Sequence, residues 1–148
     1  MKRSPELAPL SRDHQHALDA ALRLHRADAE TVAEAITRFQ RFFAQEGRRH
    51  FAIEEELLLP ALPADDAEWA PCIARIRDDH DAIRADAVAL ADRDDAQTAV
   101  PRARALGERL AAHVRFEERV AFEVLERRLS PRELARLGQT VADAAPAD

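Results

Sequence analysis

Four segments of this 148-residue chain carry apolar side chains three and four residues apart, and breaks rich in proline or acidic residues separate the segments. This period places the apolar side chains on one face of an α-helix, which must then be buried against a neighbour. The composition agrees, because alanine, leucine, glutamate and arginine abound while the chain has three glycines and no tyrosine. The sequence therefore predicts an all-α protein, an up-down bundle of four helices.

The first two helices are predicted from their start signals and breaks. The first spans about 11–27, with Ser11 as its N-cap. The second spans about 31–60, because Thr31 and Glu34 have the spacing of a capping box and prolines follow its end. The apolar stripes are expected to include Leu18, Ala21 and Leu22 in the first helix, and Phe39, Phe43 and Leu57 in the second.

The third helix is predicted to start near Trp69, and the polar break 91–98 separates it from the fourth. Pro101 must lie in the first turn of the fourth helix or kink it. The expected stripes include Ile73, Ile76, Ile83, Ala87 and Leu90 in the third helix, and Leu106, Leu110, Val120 and Val124 in the fourth.

A short fifth helix is predicted at about 131–142, because Ser130 and Glu133 have capping-box spacing around a proline at the first helical position. The tail from Val141 onward is expected to fray. We find no internal repeat and no linker, so a single domain over 1–148 is expected, with its bundle at about 11–129.

Charge and hydropathy exclude two classes of partner. The net charge of −6 comes from 28 acidic and 22 basic residues that are interleaved, so no basic face for nucleic acid is expected. No apolar run approaches the roughly 18 residues that a membrane span needs, and a cytoplasmic location is the default expectation. Cys72, the one cysteine, cannot form an internal disulfide and is interpreted as a buried apolar residue.

Two His-x-x-x-Glu pairs carry the chemistry of the sequence: His50 with Glu54, and His113 with Glu117. Residues four apart lie on the same face of a helix, so both side chains of a pair can reach one metal centre. Each pair falls on an apolar stripe rather than on a solvated face. A buried metal site is therefore a hypothesis to set against ordinary core histidines.

Four histidines, one per helix, are predicted to lie at one level of the bundle: His14, His50, His80 and His113. In an up-down bundle, residues at one height are equidistant from the loop between their helices. The midpoints of the successive pairs are residue 32, residue 65 and residues 96–97, each in or beside a break.

A single histidine on an apolar stripe is more often a hydrogen-bonded core residue than a ligand. Four imidazoles and two carboxylates in one apolar layer would be costly to bury without a shared counter-charge, which a pair of metal ions supplies. His16 and His25 point elsewhere and are expected to be solvated. Solvated charges are likewise expected at Glu55, Glu56 and Glu118, although Glu118 could accept an imidazole N–H.

At these residues the sequence resembles the hemerythrin-like, or HHE cation-binding, family. The resemblance spans nearly the whole chain, and its segments are LSRDHQHAL (10–18), HFAIEEELLLPAL (50–62), DDHDAI (78–83) and HVRFEE (113–118). It implies a four-helix bundle that holds two metal ions, usually iron with an oxo or hydroxo bridge. By the resemblance, His14 and His50 bind one ion, His80 and His113 bind the other, and Glu54 and Glu117 bridge them.

Two departures from the family pattern bear on function. Gln15 follows His14 where close relatives often have two adjacent histidines. Ile76 stands where the dioxygen carriers of the family have a fifth histidine, which argues against reversible carriage.

The function expected from the sequence is that of a non-haem di-iron protein that binds or senses dioxygen or a related small oxidant, or handles iron. One alternative is a di-iron oxidase or peroxidase, although the Glu-x-x-His motif of ferritin-like oxidases does not occur. The other is a metal-free helical interaction module. No motif for positioning an organic substrate is visible, so an enzyme is not the first expectation.

Overall fold

Five helices make up the computed structural model, which describes residues 2–91 and 95–145. They are α1 (Ala8–His25), α2 (residues 32–61), α3 (Ala70–Ala91), α4 (residues 96–128) and α5 (Pro131–Ala144). The predicted all-α class and the four-helix bundle with a short fifth helix are confirmed. Within the described ranges, no helix is long and apolar enough to cross a membrane.

Two of the long helices contain π-helical turns, in which each hydrogen bond spans one residue more than in an α-helix. In α2, the α-helical stretches Val32–Phe42 and Arg48–Ile53 alternate with the π turns Phe43–Gly47 and Glu54–Leu58, and a 3₁₀ turn, Leu59–Ala61, ends the helix. In α4, the π turn Glu117–Ala121 joins Ala96–Phe116 to Phe122–Arg128.

The π turns overturn two predicted core positions. A π turn inserts one residue, so the inward face beyond it shifts by one position along the sequence. Leu58 is therefore fully buried where Leu57 was expected, and Ala121 is buried where Val120 was expected. The side chain of Val120 is instead 42% exposed.

The inward face of α1 also differs from the predicted stripe. Its buried residues beyond His14 are Ala17, Ala20, Ala21 and Leu24. Leu22 is 45% exposed, so its predicted place on the stripe is wrong. The buried face of α1 is centred on the side of His14 that carries Ala17 and Leu24, away from Leu22. In this orientation α1 contacts both α2 and α4.

The predicted cap of the first helix is wrong, and that of the second is confirmed in position but not in its capping bond. α1 begins at Ala8, so Ser11 lies in its first turn, where its hydroxyl donates to Glu118. Thr31 does stand at the N-cap of α2, but its side chain makes no capping bond. Its hydroxyl instead donates to the carboxylate of Asp28 in the preceding turn, which closes the α1–α2 loop.

The last two helices follow their predicted signals more closely. Asp95 caps α4 by accepting from the backbone N–H of Thr98, and Pro101 lies in the second helical turn rather than the first. The rest of the predicted break, residues 92–94, lies outside the described residues. The capping box of Ser130 and Glu133 is confirmed at the start of α5.

The C-terminal tail is more ordered than predicted. α5 continues to Ala144, and Val141, where fraying was expected to begin, is fully buried. Residues 146–148 lie outside the described residues. Because Leu137 and Val141 pack into the apolar core, α5 covers one end of the bundle.

The core consists of two apolar clusters, one toward each end of the bundle. The first includes Leu24, Ile36, Phe39, Ile83 and Leu106. The second includes Leu10, Leu58, Trp69, Ile76 and Phe122. Trp69 is fully buried, and its indole N–H donates to the carbonyl of Leu59 at 2.8 Å. The polar residues between the two clusters form the candidate site.

α1 and α4 approach each other closely at Gly107. A Cβ atom at this position would lie 2.6 Å from the carbonyl oxygen of Ala21 and 2.7 Å from the backbone nitrogen of His25. Both contacts are too short and involve backbone atoms, so the two helices would have to separate. The absence of a side chain at Gly107 sets the distance between α1 and α4.

We expect Gly107→Ala to lower the free energy of unfolding by about 1–3 kcal/mol, the usual cost of overpacking. Helix propensity alone would raise stability by about 1 kcal/mol, so the two explanations predict opposite signs. Chemical denaturation followed by circular dichroism measures the change. Ala105→Gly, at an exposed position of the same helix, calibrates the propensity effect, and a more stable Gly107→Ala variant would contradict the close approach.

Candidate metal centre

Six ionisable residues meet inside the bundle, and each of them is at most 5% exposed. They are His14 from α1, His50 and Glu54 from α2, His80 from α3, and His113 and Glu117 from α4. Along α1, His14 lies between Leu10 of the second apolar cluster and Ala17 of the first. The six residues therefore form a polar layer between two apolar ends, as the midpoint argument predicts.

The layer divides into two groups of potential ligand atoms. One group contains His14 and His50, the other contains His80 and His113, and both contain Glu54 and Glu117. Within each group, one nitrogen or oxygen atom of every residue lies within 4.8 Å of the others. The two shared glutamates thus stand between two pairs of histidines.

Each shared glutamate presents one oxygen to each pair of histidines. For Glu54, Oε1 lies 2.7 Å from Nε2 of His50 and Oε2 lies 3.0 Å from Nε2 of His80. For Glu117, Oε2 lies 3.4 Å from Nε2 of His14, and Oε1 contacts Nε2 of His113. Two carboxylates arranged in this way can bridge two cations.

The inner atoms of the layer fit metal ions better than they fit one another. All four carboxylate oxygens of Glu54 and Glu117 are buried, and although they lie close to imidazole nitrogens, none accepts a hydrogen bond of good geometry among the described residues. Nε2 of His113 and both ring nitrogens of His80 likewise make no such bond. The Nε2 atoms of His14 and His50 lie 3.2 Å apart. A neutral imidazole has a proton on only one of its two nitrogens, so if Nδ1 of each ring carries it, the two Nε2 atoms face each other with lone pairs. Lone pairs aimed at a common point are the arrangement that a cation satisfies.

The outer nitrogen of each histidine faces a carboxylate. Nδ1 of His14 lies 2.7 Å from Glu118, that of His50 lies 2.9 Å from Asp13, and that of His113 lies 3.1 Å from Asp79. Nδ1 of His80 lies 3.5 Å from Glu55.

The sequence only partly foretold these outer carboxylates. Glu118 contacts an imidazole nitrogen of His14, which was the alternative prediction for this residue. The first prediction, a solvated charge, is wrong. It is also wrong for Glu55, which is partly buried and pairs with Arg84. Asp13 and Asp79 were missed, although each directly precedes a predicted ligand in the sequence.

The π turns and the aromatic rings shape the surroundings of the layer. Glu54 and Glu117 are each the first residue of a π turn, a feature often found at functional sites. The ring of Phe51 stacks on His80 at 3.8 Å, and that of Phe122 stacks on His14 at 5.3 Å. These rings limit the freedom of both imidazoles.

A small cavity of about 10 Å³ adjoins the layer, enough for one water-sized molecule. Its polar lining comes from Asp13 and from three histidines of the layer. Its apolar lining includes Phe42, Phe43, Phe51, Leu110 and Val114. The space beside the layer therefore admits only very small molecules.

The two histidines expected to be solvated are at the surface. The side chain of His16 is 63% exposed and pairs with Glu46. The side chain of His25 is 52% exposed and lies 3.6 Å from Glu108. Both predictions are confirmed, and these residues provide natural controls for the buried four.

The charges of the layer stabilise one another. Burial alone would lower the pKa of His50 and His113, because it disfavours a charged ring. The charge of Glu54 and an outer hydrogen bond outweigh burial and raise the pKa of His50 to about 9. At His113, the charge of Glu117 and an outer hydrogen bond raise the pKa to about 10.

Burial would raise the pKa of both glutamates, and the charge of Glu117 would raise that of Glu54 further. The neighbouring histidines outweigh these effects and hold both pKa values below their usual range. In the metal-free protein, protonated imidazoles thus act as counter-charges to the two glutamates. Metal ions would compete with these protons for the same atoms.

Comparison with known proteins identifies one family. The family model described as the hemerythrin HHE cation binding domain matches residues 7–125. No curated protein and no solved structure matches the chain significantly. The matched region contains all six residues of the layer but ends before α5, so the single domain over 1–148 stays a prediction.

The raised histidine pKa values make the stability of the metal-free protein depend on pH. A group whose pKa is higher in the folded state than in the unfolded state stabilises the fold at low pH, and this contribution is lost as pH rises through the folded value. We expect the free energy of unfolding to fall between about pH 6.5 and about pH 10. Urea denaturation across this range measures it.

Few other groups titrate in this range, because the chain has no tyrosine and one lysine. Burial raises the pKa of Cys72, which gives a slope of the same sign. Cys72→Ala removes that contribution and should keep most of the slope. Stability that rises from neutral to alkaline pH would contradict the proposed counter-charge role of the histidines.

Proposed function

Because the chain belongs to the hemerythrin HHE cation binding domain family, we propose that it is a non-haem metalloprotein whose layer holds two iron ions. The observation that carries the proposal is the set of buried oxygens on Glu54 and Glu117, which accept no well-formed hydrogen bond and stand between two pairs of histidines. Imidazole and carboxylate donors suit iron, and also manganese and zinc. Iron is favoured here because it is the usual metal of the family that the sequence resembles.

The proposed ligands follow the two groups of atoms. His14 and His50 would hold one ion and His80 and His113 the other, with Glu54 and Glu117 as donors that the two groups share. Every ion then has four protein donors. The ions supply redox chemistry with a small oxidant, while the chain positions the donors and excludes bulk water.

The proposed ligand is dioxygen or a related small oxidant, sensed or scavenged rather than stored. The cavity beside the layer has about the volume of one water molecule, which favours a very small ligand over an organic substrate. Ile76 is fully buried one helical turn before His80, where the carriers of the family have a fifth histidine. An apolar side chain there adds no ligand, so one coordination position of the ion at His80 and His113 would be left without a protein donor.

A metal-free interaction module is less well supported. Such a module would have no use for two carboxylates and four imidazoles in its core, because their mutual attraction does no more than offset the free energy that burial costs.

We expect the protein, reconstituted anaerobically with ferrous iron, to bind about two ions per chain. His80→Ala should remove about one ion, because it leaves the His14–His50 pair intact. Glu117→Ala should weaken the binding of both ions, because it removes one donor from each of them. Iron analysis after gel filtration gives the stoichiometry, and the thermal midpoint should fall with it, since ligand binding stabilises the fold.

His16→Ala is the matched control, because His16 lies on the same helix as His14 but at the surface. It should leave both the iron content and the thermal midpoint unchanged. Wild-type protein that stays metal-free after reconstitution would rule out the proposed function.

A second test concerns the reaction with dioxygen. The ferrous protein should oxidise quickly and irreversibly when dioxygen is admitted, because Ile76 supplies no fifth histidine to confine dioxygen to one ion. The visible spectrum, followed by stopped flow, should pass directly to that of the oxidised form. A long-lived coloured form that releases dioxygen under vacuum would indicate a carrier instead.

A further inference from the structure

The outer carboxylates run around the bundle in one direction. Asp13 on α1 contacts His50 on α2, and Glu55 on α2 faces His80 on α3. The carboxylates on α3 and α4 follow the same direction. Asp79 on α3 contacts His113 on α4, and Glu118 on α4 contacts His14 on α1. The four contacts thus form a closed ring that links every pair of adjacent helices.

Each carboxylate of the ring is a sequence neighbour of a proposed ligand on its own helix, yet it contacts the ligand of the next helix. Asp13 precedes His14, and Asp79 precedes His80. Glu55 and Glu118 directly follow the two bridging glutamates. The motif Asp-His followed by His-x-x-x-Glu-Glu therefore occurs twice in the chain, contrary to the expectation of no internal repeat.

We propose that Asp13, Glu55, Asp79 and Glu118 are positioning residues for the two metal ions, each acting on the histidine of the next helix. The proposal rests on the proposed function. An ionised carboxylate can only accept a hydrogen bond, so it selects the form of the imidazole that carries its proton on Nδ1. The lone pair of Nε2 is then left for the metal, and the ring plane is fixed.

Burial makes this selection necessary. The rings of His14, His80 and His113 are at most 2% exposed, so bulk water does not reach their Nδ1–H groups. A carboxylate at hydrogen-bond distance is the partner that keeps this proton in place and makes the ring a stronger donor to a metal. The contact to His80 is the longest of the four, at 3.5 Å and without a hydrogen bond, so Glu55 should position its histidine the most weakly.

Arginines hold three of the four carboxylates in turn. Arg84 binds Glu55 through two hydrogen bonds, at 2.7 and 2.9 Å, Arg75 donates to Asp79 at 2.8 Å, and Arg3 lies 3.1 Å from Glu118. Within the part of the chain that the structure describes, no arginine or lysine pairs with Asp13.

Nuclear magnetic resonance of the zinc-loaded protein, with ¹⁵N-labelled histidine, tests the direction of the ring. Asp79→Asn keeps an oxygen that can accept but removes its charge. We expect it to shift the Nδ1–H signal of His113, on the next helix, and to leave that of His80, its own neighbour in sequence, in place. A merely local effect on α3 would move the signal of His80 instead.

Asp78→Asn is the matched control, because Asp78 is exposed and adjacent to Asp79. It should move neither signal. Competition with a chelator for ferrous iron gives a second readout, in which Asp79→Ala should weaken binding roughly 10- to 100-fold. The iron affinity of Asp79→Asn should lie between those of the wild type and Asp79→Ala, because the amide oxygen can still accept a hydrogen bond from His113.

The outcomes separate the two proposals. Wild-type protein that takes up neither ferrous iron nor zinc overturns the proposed function and this inference with it. Metal uptake with a shift at His80 rather than His113, or unchanged iron affinity in Asp79→Ala, overturns the ring alone.

Discussion

The structure depends on the cost of placing six ionisable side chains in one buried layer. Any of them alone would be expensive to bury, and together they are tolerable only because imidazoles and carboxylates alternate at hydrogen-bond or ion-pair distance. This requires four helices whose ligands arrive at the same height, and so fixes their register. The apolar clusters on either side exclude water, which strengthens every interaction inside the layer.

The helices and the level of the site could be predicted because both follow from spacing along the chain. The π turns could not. Leucine occurs at both 57 and 58, and apolar residues occur at both 120 and 121, so a regular helix and a shifted one bury equally suitable side chains. Each of these two π turns begins at a glutamate of the layer, and no local pattern reveals that an extra residue enters the helix there.

The six inner residues were predictable for a similar reason: each is a polar residue on an apolar stripe, and the anomaly is visible in the sequence. Asp13 and Asp79 look instead like ordinary charges beside a stripe, since both are polar residues at partly exposed positions. Their partners lie 37 and 34 residues away. Only the packing of adjacent helices brings them together, and the repeated motif acquires a meaning only then.

The uneven arginine support has a consequence for the symmetry of the site. The repeated motif relates the half formed by α1 and α2 to the half formed by α3 and α4, so the inner donors are equivalent in pairs. The equivalence ends at the surface, because the residue four positions before Asp79 is Arg75, whereas the residue four positions before Asp13 is Pro9. Cations in the two halves would therefore experience different electric fields. A site that is symmetric in its ligands would then be polarised along the line between its two cation positions.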